Sequence, residues 1–378
     1  MKKVRLTIVG VLATAVALVV VASAAAGGGN SDGDRDGNAV FVQTNGLAGN
    51  QVVVYDQAAN GTLTAAGTYA TGGNGGAALP GAESGRLASQ GSLAYDPSHG
   101  ILIAVNAGSN TVSAFRVRGD RLERTTVLPS GGTFPNSVGV HDGLAYVLNA
   151  GGAGTVEGFR ITGHGLVSIP GSTRSLGLAN TTPPNFLTAP GQVGFTPDGR
   201  QLIVTTKAST SSYEVFAVQP NGRLSAAPVV TPSATPVPFA FTFGPDGRLV
   251  AGEAGASSVT TYEIASSGTL SDPKSQSDGQ VALCWIQRVG TYYYVSNTGS
   301  NTISSFEVRP DGRPTLLAAV AATTDAGPID QTTSGGFLYA EAGLAGAVDE
   351  FRVNGDGSLT SIGSITGLPP GTEGIAAG

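Results

Sequence analysis

The sequence predicts an all-β fold, a seven-bladed β-propeller built from four-stranded blades. The 378 residues include 57 glycines and only 12% charged residues. This composition suits many short strands joined by tight turns better than it suits long helices. One phrase also occurs twice, as IAVNAGSNTVSAFRVRGD (103–120) and as YVSNTGSNTISSFEVRPDG (294–312). An aromatic residue in this phrase recurs along the whole chain at intervals near 45 residues, which is typical of propeller repeats.

The recurring aromatic residue ends the third strand of each predicted blade. It is found at Tyr55, Phe115, Phe159, Phe216, Tyr262, Phe306 and Phe351. The successive intervals are 60, 44, 57, 46, 44 and 45 residues. Val or Ile follows two positions later in six of the seven repeats. Seven aromatic residues predict seven blades, and we expect their rings to pack between neighbouring blades.

The second repeat shows the strand pattern most clearly. Strand A covers 92–97, strand B covers 101–106, strand C covers 111–117, and strand D begins at Leu122. The first repeat instead begins at strand B (39–45), and the chain ends in TEGIAAG (372–378), which resembles a lone strand A. We therefore expect the C-terminal strand to complete the first blade and close the ring, which leaves no long open edge.

The first 24 residues predict a secretory signal peptide. Lys2, Lys3 and Arg5 precede an apolar run that ends in the small residues Ala22-Ser23-Ala24. An uncleaved anchor that holds the protein on the outside of the membrane is the alternative, because the run is long enough to span a bilayer. Residues 25–38 are Gly-rich and predict a flexible linker, and 39–378 predict the propeller. The expected location is therefore extracellular.

Charge and cysteine content narrow the possible partners and cofactors. The net charge is −6, and removal of 1–24, with three cations, makes it −9 (17 Lys and Arg against 26 Asp and Glu). Such acidity argues against nucleic acid as a partner. Cys284 is the only cysteine, so no intrachain disulfide can form. No short zinc-binding spacing occurs, and we predict no metal, no cofactor and a monomer.

Two long intervals contain insertions between a strand D and the next strand A. One covers 72–90 (GGNGGAALPGAESGRLASQ), and the other covers 174–190 (RSLGLANTTPPNFLTAP). Both should lie on the face of the disc that carries the B–C turns. Long loops on one face of a propeller often carry binding function.

The repeats resemble those of the seven-bladed lactonase family, which includes 6-phosphogluconolactonase-like and carboxymuconate-cyclase-like propellers. The resemblance rests on FTPDGRQLIVT (195–205), FGPDGRLV (243–250) and SNTGSNTISSFEVRPDG (296–312), and it extends over 38–378. It implies an active face where strands A start and B–C turns meet. It also implies lactone chemistry by His, Glu and Arg, which provide acid–base catalysis and stabilise an oxyanion.

This sequence departs from the family pattern at each of those positions. Asn136 and Gln192 stand at the two His positions, Lys207 stands at the Glu position, and Thr298 stands at the Arg position. An amide cannot exchange a proton near neutral pH, so Asn136 and Gln192 do not replace a catalytic His. The resemblance therefore predicts the fold more strongly than it predicts the family's chemistry.

Polar residues on the same face are the candidate site. The predicted ligand-binding residues are Gln90, Asn136, Gln192, Lys207, Glu253, Asn297, Asp330 and Glu373. The structural alternative is that the Asn side chains only stabilise tight turns. Trp285 and Cys284 are expected in strand A of the sixth blade, with core packing as their role.

Two hypotheses for function follow from these residues. The favoured hypothesis is a secreted, non-catalytic binding module for a small polar molecule, a glycan or a protein at the cell surface. The alternative is a divergent lactonase or related cycloisomerase that acts on a sugar-acid or muconate-type lactone. Its acid–base groups would be Glu253, Asp330 or Glu373, with Lys207 as the electrophilic partner.

Overall fold

Seven antiparallel sheets form the blades, and each sheet has its innermost strand at the centre of the ring. The computed structural model describes residues 38–80 and 83–378. The predicted signal peptide and residues 25–37 of the linker lie outside this part of the chain. No helix among the described residues is long and apolar enough to cross a membrane. The prediction of a seven-bladed all-β propeller is confirmed.

The first three blades contain β1 to β12 together with the last strand, β29. Blade one is formed by β1 (Ala39–Gln43), β2 (Gln51–Gln57), β3 (Leu63–Ala70) and β29 (Ile375–Ala377). Blade two is formed by β4 (Leu93–Asp96), β5 (Ile101–Asn106), β6 (Thr111–Arg118) and β7 (Arg121–Pro129). Blade three is formed by β8 (Pro135–His141), β9 (Leu144–Asn149), β10 (Thr155–Thr162), β11 (Gly165–Ser168) and β12 (Arg174–Ser175).

The remaining four blades each have four strands in chain order. Blade four is formed by β13 (Gln192–Phe195), β14 (Gln201–Thr205), β15 (Ser212–Ala217) and β16 (Val229–Pro232). Blade five is formed by β17 (Pro238–Phe243), β18 (Leu249–Glu253), β19 (Ser258–Ile264) and β20 (Leu270–Ser277). Blade six is formed by β21 (Leu283–Val289), β22 (Tyr292–Asn297), β23 (Thr302–Val308) and β24 (Pro314–Thr323). Blade seven is formed by β25 (Pro328–Ser334), β26 (Phe337–Ala342), β27 (Ala347–Val353) and β28 (Leu359–Thr366).

The core lies between the blades, where the side chains of neighbouring sheets meet. All seven recurring aromatic residues are buried, as the repeat predicted. Phe115 of blade two, for example, belongs to the same apolar cluster as Phe41 and Val52 of blade one. Burial of one such ring contributes about 1.5–3 kcal/mol, and the seven-fold repetition of this contact explains why the aromatic spacing predicts the fold.

The C-terminal strand closes the ring. β29 pairs antiparallel with β1, and the register joins Val40 to Ala377, Phe41 to Ala376 and Val42 to Ile375. This pairing places the last strand at the innermost position of blade one. The predicted closure is therefore confirmed.

Both insertions lie on the face that carries the B–C turns, which we name the insertion face. They meet there, because the N–H of Leu79 donates to the carbonyl of Pro184 at 2.8 Å. The predicted start of the second insertion is wrong by two residues. Arg174 and Ser175 form β12, which pairs with β10 and continues the outer strand of blade three.

Candidate functional site

The innermost strands begin on the insertion face with a repeated backbone irregularity. Four of these strands, β8, β17, β21 and β25, carry a β-bulge within their first residues. The extra residue is Asn136 in blade three, Phe239 in blade five and Cys284 in blade six. Bulges of this kind change the direction of a side chain and are common beside functional sites.

Non-glycine residues with positive φ lie two positions before the extra residue in three of these four bulges. They are Phe134 (58°), Val237 (62°) and Ala282 (61°), and Ala88 (59°) holds the corresponding place before blade two. A positive φ is costly for a residue with a Cβ, and a β-branched residue such as Val237 is a genuine outlier. The channel mouth, where the innermost strands begin, is therefore surrounded by strained positions that the rest of the fold must stabilise.

The first insertion fills the channel mouth with residues Leu87–Gln90, which we name the mouth segment. All four residues are buried. The carboxylate of Glu373 accepts hydrogen bonds from the N–H groups of Leu87 and Ser89. The pKa of Glu373 is raised to about 8, mainly by burial and in part by the neighbouring Asp330, while the hydrogen bonds from Leu87 and Ser89 and the charge of Lys207 act against this rise. Glu373 therefore acts as an anchor for the mouth segment.

Lys207 approaches the mouth segment from blade four. Its side chain is fully buried, and its Nζ donates to the carbonyl of Ala88 at 2.7 Å and to that of Phe186 at 2.6 Å. Nζ also lies 4.7 Å from the ring centre of Phe186 and 4.6 Å from that of Phe239. Burial lowers the pKa of Lys207 to about 7. The amine therefore contacts both insertions, through Ala88 and Phe186.

Gln90 extends across the channel. Its Nε2 donates to the carbonyl of Ile286 at 3.1 Å, and its Oε1 accepts from the N–H of the same residue at 3.0 Å. Gln192 makes the same paired contact with Phe241 in the adjacent blade, at 3.1 and 2.7 Å. Both amides therefore bind the backbone of an innermost strand and hold blades together.

Asn136 and Trp285 complete the ring around the mouth segment. Nδ2 of Asn136 donates to the carbonyls of Leu87 at 3.3 Å and Pro190 at 2.9 Å. Nε1 of Trp285 donates to the carbonyl of Ser89 at 2.7 Å, and its ring centre lies 4.7 Å from that of Phe239. Trp285 is buried in the core as predicted, yet its polar atom also fixes the mouth segment.

Two further buried carboxylates lie in blade seven. Asp330 accepts from the N–H of Gly91 at 3.0 Å and from that of Gln331 at 2.9 Å, and burial raises its pKa to about 7. Glu341 accepts from the N–H of Gly374 at 2.8 Å, and burial raises its pKa well above its ordinary value. The negative charges of Asp330 and Glu373 both raise the pKa of Glu341 as well, so these three carboxylates form one electrostatic cluster.

Glu341 and residues Leu87–Ser89 of the mouth segment were not among the site residues predicted from the sequence, whereas Gln90 was. Glu341 lies in FLYAEA, one residue before the end of the second strand of blade seven, so the repeat register could have found it. The apolar pair Leu87-Ala88 inside a Gly-rich insertion was the available signal for the mouth segment. Neither signal predicts which groups Glu341 or the mouth segment contacts across the ring.

Glu253 and Asn297 lie outside the channel mouth. Each carboxylate oxygen of Glu253 accepts three hydrogen bonds. Five come from side-chain hydroxyls, those of Tyr213, Ser233, Thr235, Thr260 and Tyr262, and the sixth comes from the backbone N–H of Thr235. Nδ2 of Asn297 donates to Thr302 at 3.2 Å and to Ser304 at 2.7 Å within its own blade. The structure therefore brings Gln90, Asn136, Lys207, Asp330 and Glu373 together and leaves Glu253, Asn297 and Gln192 further out.

No group of three or more His, Cys, Asp or Glu residues within 38–80 and 83–378 is arranged to hold a metal ion. The sequence matches no protein-family model, and the search of curated proteins found no significant relative.

Solved structures share the architecture at low sequence identity. A protein from Lactobacillus plantarum is 19% identical, with a TM-score of 0.70, and the match covers 90% of this chain and 99% of that one. A provisionally named 6-phosphogluconolactonase from Bacteroides uniformis is 17% identical, with a TM-score of 0.69 and coverage of 91% and 100%. The periplasmic gluconolactonase PpgL from Pseudomonas aeruginosa is 16% identical, with a TM-score of 0.69 and coverage of 90% and 98%. This chain thus has the seven-bladed propeller fold of lactonase-like proteins.

Proposed function

We propose that this chain is a secreted, non-catalytic propeller that binds a protein of the cell surface through its insertion face. The observation that carries the proposal is the position of the mouth segment. It fills the place where the lactonase resemblance puts an active site. Its backbone also forms hydrogen bonds with Nζ of Lys207 and with the carboxylate of Glu373, two groups that a lactonase mechanism would need. A lactone carbonyl at the channel mouth would have to displace the mouth segment to reach the carboxylate of Glu373.

The surface around the mouth supports a binding role. Five exposed large apolar residues lie in its loops: Leu47 (53% exposed), Leu79 (43%), Leu187 (55%), Val281 (61%) and Leu344 (47%). Among the described residues of these loops, the charged side chains that are not buried are Glu83, Arg86 and Asp325. An apolar surface with so few charges is typical of a protein interaction site.

The same surface favours a protein over a glycan or a small polar molecule. No aromatic side chain occurs among the exposed large apolar residues of 38–80 and 83–378. Tyr and Trp combine apolar area with a polar group at one end, which suits them to a ligand that has both apolar faces and hydroxyl groups. Exposed Leu and Val instead offer apolar area without hydrogen-bonding groups, which a protein partner can bury and a hydroxylated ligand cannot match.

A cell-binding experiment tests the proposal. Labelled protein should bind envelopes of the source organism saturably, and the double variant Leu47→Asp/Leu344→Asp should bind at least tenfold more weakly. The matched control is Leu317→Asp/Val320→Asp, which changes two exposed residues of the outer strand β24 and should bind as the wild type does. Protease treatment of the envelopes should abolish binding. Equal binding by both double variants, or binding that survives protease treatment, contradicts the proposal.

A divergent lactonase remains the second candidate because of one observation. Asp330, Lys207 and Glu373 have pKa values that burial shifts to about 7 or 8, the range in which acid–base catalysis at neutral pH is efficient. Hydrolysis of sugar-acid and muconate-type lactones that falls at least a hundredfold in Lys207→Ala and in Glu373→Gln would support this candidate. A rate equal to the uncatalysed rate would remove it.

A further inference from the structure

A cavity of about 180 Å³ opens on the insertion face between blades four, five and six. Its walls come from the second insertion, from the turns of blades four and five, and from the starts of β17 and β21. The lining residues are Phe186, Leu187, Lys207, Val237, Phe239, Ala254, Gly255, Ala282 and Cys284. Lys207 is the one charged residue among them, so the cavity combines apolar walls with a single cationic group.

The ammonium group of Lys207 has no anionic partner within the described residues. No carboxylate oxygen of 38–80 or 83–378 lies within 4.0 Å of its Nζ. Two of its three N–H donors are used by the carbonyls of Ala88 and Phe186. A buried charge without a counterion is unfavourable, so an anion that reached the cavity would gain a charge-assisted hydrogen bond from the third donor.

The two titratable groups nearest the amine do not neutralise it. Burial raises the pKa of the Cys284 thiol to about 12, so this group stays protonated and uncharged at neutral pH. The Glu373 carboxylate binds the backbone of the mouth segment instead, and burial raises its pKa to about 8. Because burial lowers the pKa of Lys207 to about 7, the amine is only partly charged in the free protein, and an anion bound beside it would stabilise the charged form.

Two strained backbone positions at the channel mouth shape the cavity walls. Val237 and Ala282 have φ values of 62° and 61°, and each precedes a bulge residue, Phe239 or Cys284, that also lines the cavity. A site that forms on rigid strands before any ligand arrives loses less conformational entropy on binding. Strain of this kind tends to persist where function requires the geometry.

We propose that this cavity binds a small apolar carboxylic acid, with its carboxylate on Nζ of Lys207 and its hydrocarbon part against Phe186 and Phe239. The volume limits the ligand to roughly one six-membered ring or a short branched chain, since an engineered protein cavity of about 150 Å³ holds benzene. Apolar walls select the hydrocarbon part, and the single cation selects the acid over its neutral analogues. This site is tested separately from the proposed partner surface, because it takes a different class of ligand; of the residues named for the two sites, only Leu187 belongs to both.

Isothermal titration of the full chain with benzoate and with benzamide tests the proposal. The two compounds have the same shape and differ in charge. We expect saturable binding of benzoate and at least tenfold weaker binding of benzamide, because only the acid forms an ion pair with Lys207. Equal affinity for the two compounds, or no binding of benzoate, overturns the proposal, and neither result depends on a variant.

Three substitutions locate the site. Lys207→Met keeps the length and apolar body of the side chain, and it should weaken benzoate binding at least tenfold. Lys274→Met is the matched control, because Lys274 lies far from the cavity beside Asp272 and should leave the affinity unchanged. Ala254→Leu retains Lys207 but fills part of the cavity, so it should also weaken benzoate binding. This variant tests the site even if Lys207→Met does not fold. Wild-type affinity in Ala254→Leu or in folded Lys207→Met would contradict the assignment.

Discussion

At the scale of single residues, Glu253 shows how a predicted catalytic carboxylate can serve the fold instead. Its two oxygens accept six hydrogen bonds from groups of blades four and five and from the loop between them, including the hydroxyls of Tyr213 and Tyr262. The side chain is fully buried. A carboxylate with every lone pair occupied stabilises its surroundings and has no free position for a reacting proton.

We expect Glu253→Gln to lower the free energy of unfolding by about 2–4 kcal/mol, because the new NH₂ group faces hydroxyl donors in a buried site. Denaturant unfolding measures this loss. Glu263→Gln is the control, because Glu263 is 55% exposed and pairs with Arg248 at the surface. It should cost less than about 1 kcal/mol. Equal stability losses for the two variants would contradict the structural role of Glu253.

At the scale of elements, β29 determines whether the ring is closed. Without it, β1 would lose a strand partner along Val40–Val42, and the core of blade one would open beside Ile375. The carbonyl of Gly374 also accepts a hydrogen bond from the N–H of Gln43 at 2.7 Å. An exposed inner edge of this kind favours misfolding and association with other chains.

Deletion of 374–378 should therefore cost at least about 3–5 kcal/mol or abolish cooperative unfolding, because both the ladder hydrogen bonds and the apolar burial are lost. Thermal unfolding followed by circular dichroism measures the change. Ile375→Val keeps the strand and should cost only about 1 kcal/mol. A truncated chain that melts at the temperature of the full chain would show that β29 does not hold the ring together.

At the scale of the whole molecule, buried ionisable groups from several blades meet at one place. Asp330 and Glu341 come from blade seven, Glu373 precedes the last strand of blade one, and Lys207 follows the second strand of blade four. Their pKa values are all shifted by burial in the direction that favours the neutral form. The stability of the entire ring should therefore depend on pH.

We expect the free energy of unfolding to fall as the pH rises from about 5 to 8. Burial raises the pKa of Glu373 from 4.5 to about 8, so in this window the folded state keeps a proton that the unfolded chain has lost. This stabilisation is complete below pH 4.5 and disappears as the pH passes about 8. Asp330 acts in the same direction up to about pH 7.

Lys207 acts in the opposite direction at higher pH. Burial lowers its pKa from 10.5 to about 7, so the destabilising effect of its buried charge decreases as the pH rises from about 7 to 10.5.

The variant Glu373→Gln should flatten the decline in the free energy of unfolding between pH 5 and 8. Over this range Glu373 contributes on the order of 2–4 kcal/mol to that decline. Glu83→Gln, an exposed carboxylate of the same insertion, should keep the wild-type slope. A Glu373→Gln slope equal to that of the wild type would contradict this assignment.

The sequence by itself determined the blades, their number and the closure of the ring. Each blade is a local unit of about 45 residues, and its aromatic residue, its turns and its alternating strands lie close together in the chain. Boundaries such as Ile101–Asn106 follow directly from that local pattern. The lone strand at the C-terminus could be predicted for the same reason, since its sequence repeats the pattern of the other innermost strands.

Only the tertiary structure decided what the polar residues of the insertion face do. Glu373 contacts Leu87 across 286 positions of the chain, and Gln90 contacts Ile286 across 196. Contacts this distant in sequence form only when the ring closes and brings non-adjacent blades together. No local pattern encodes them, so the residue types at the mouth were predictable while their partners were not. The bulges at Phe239 and Cys284, which shape the cavity beside Lys207, depend in the same way on packing around the closed ring.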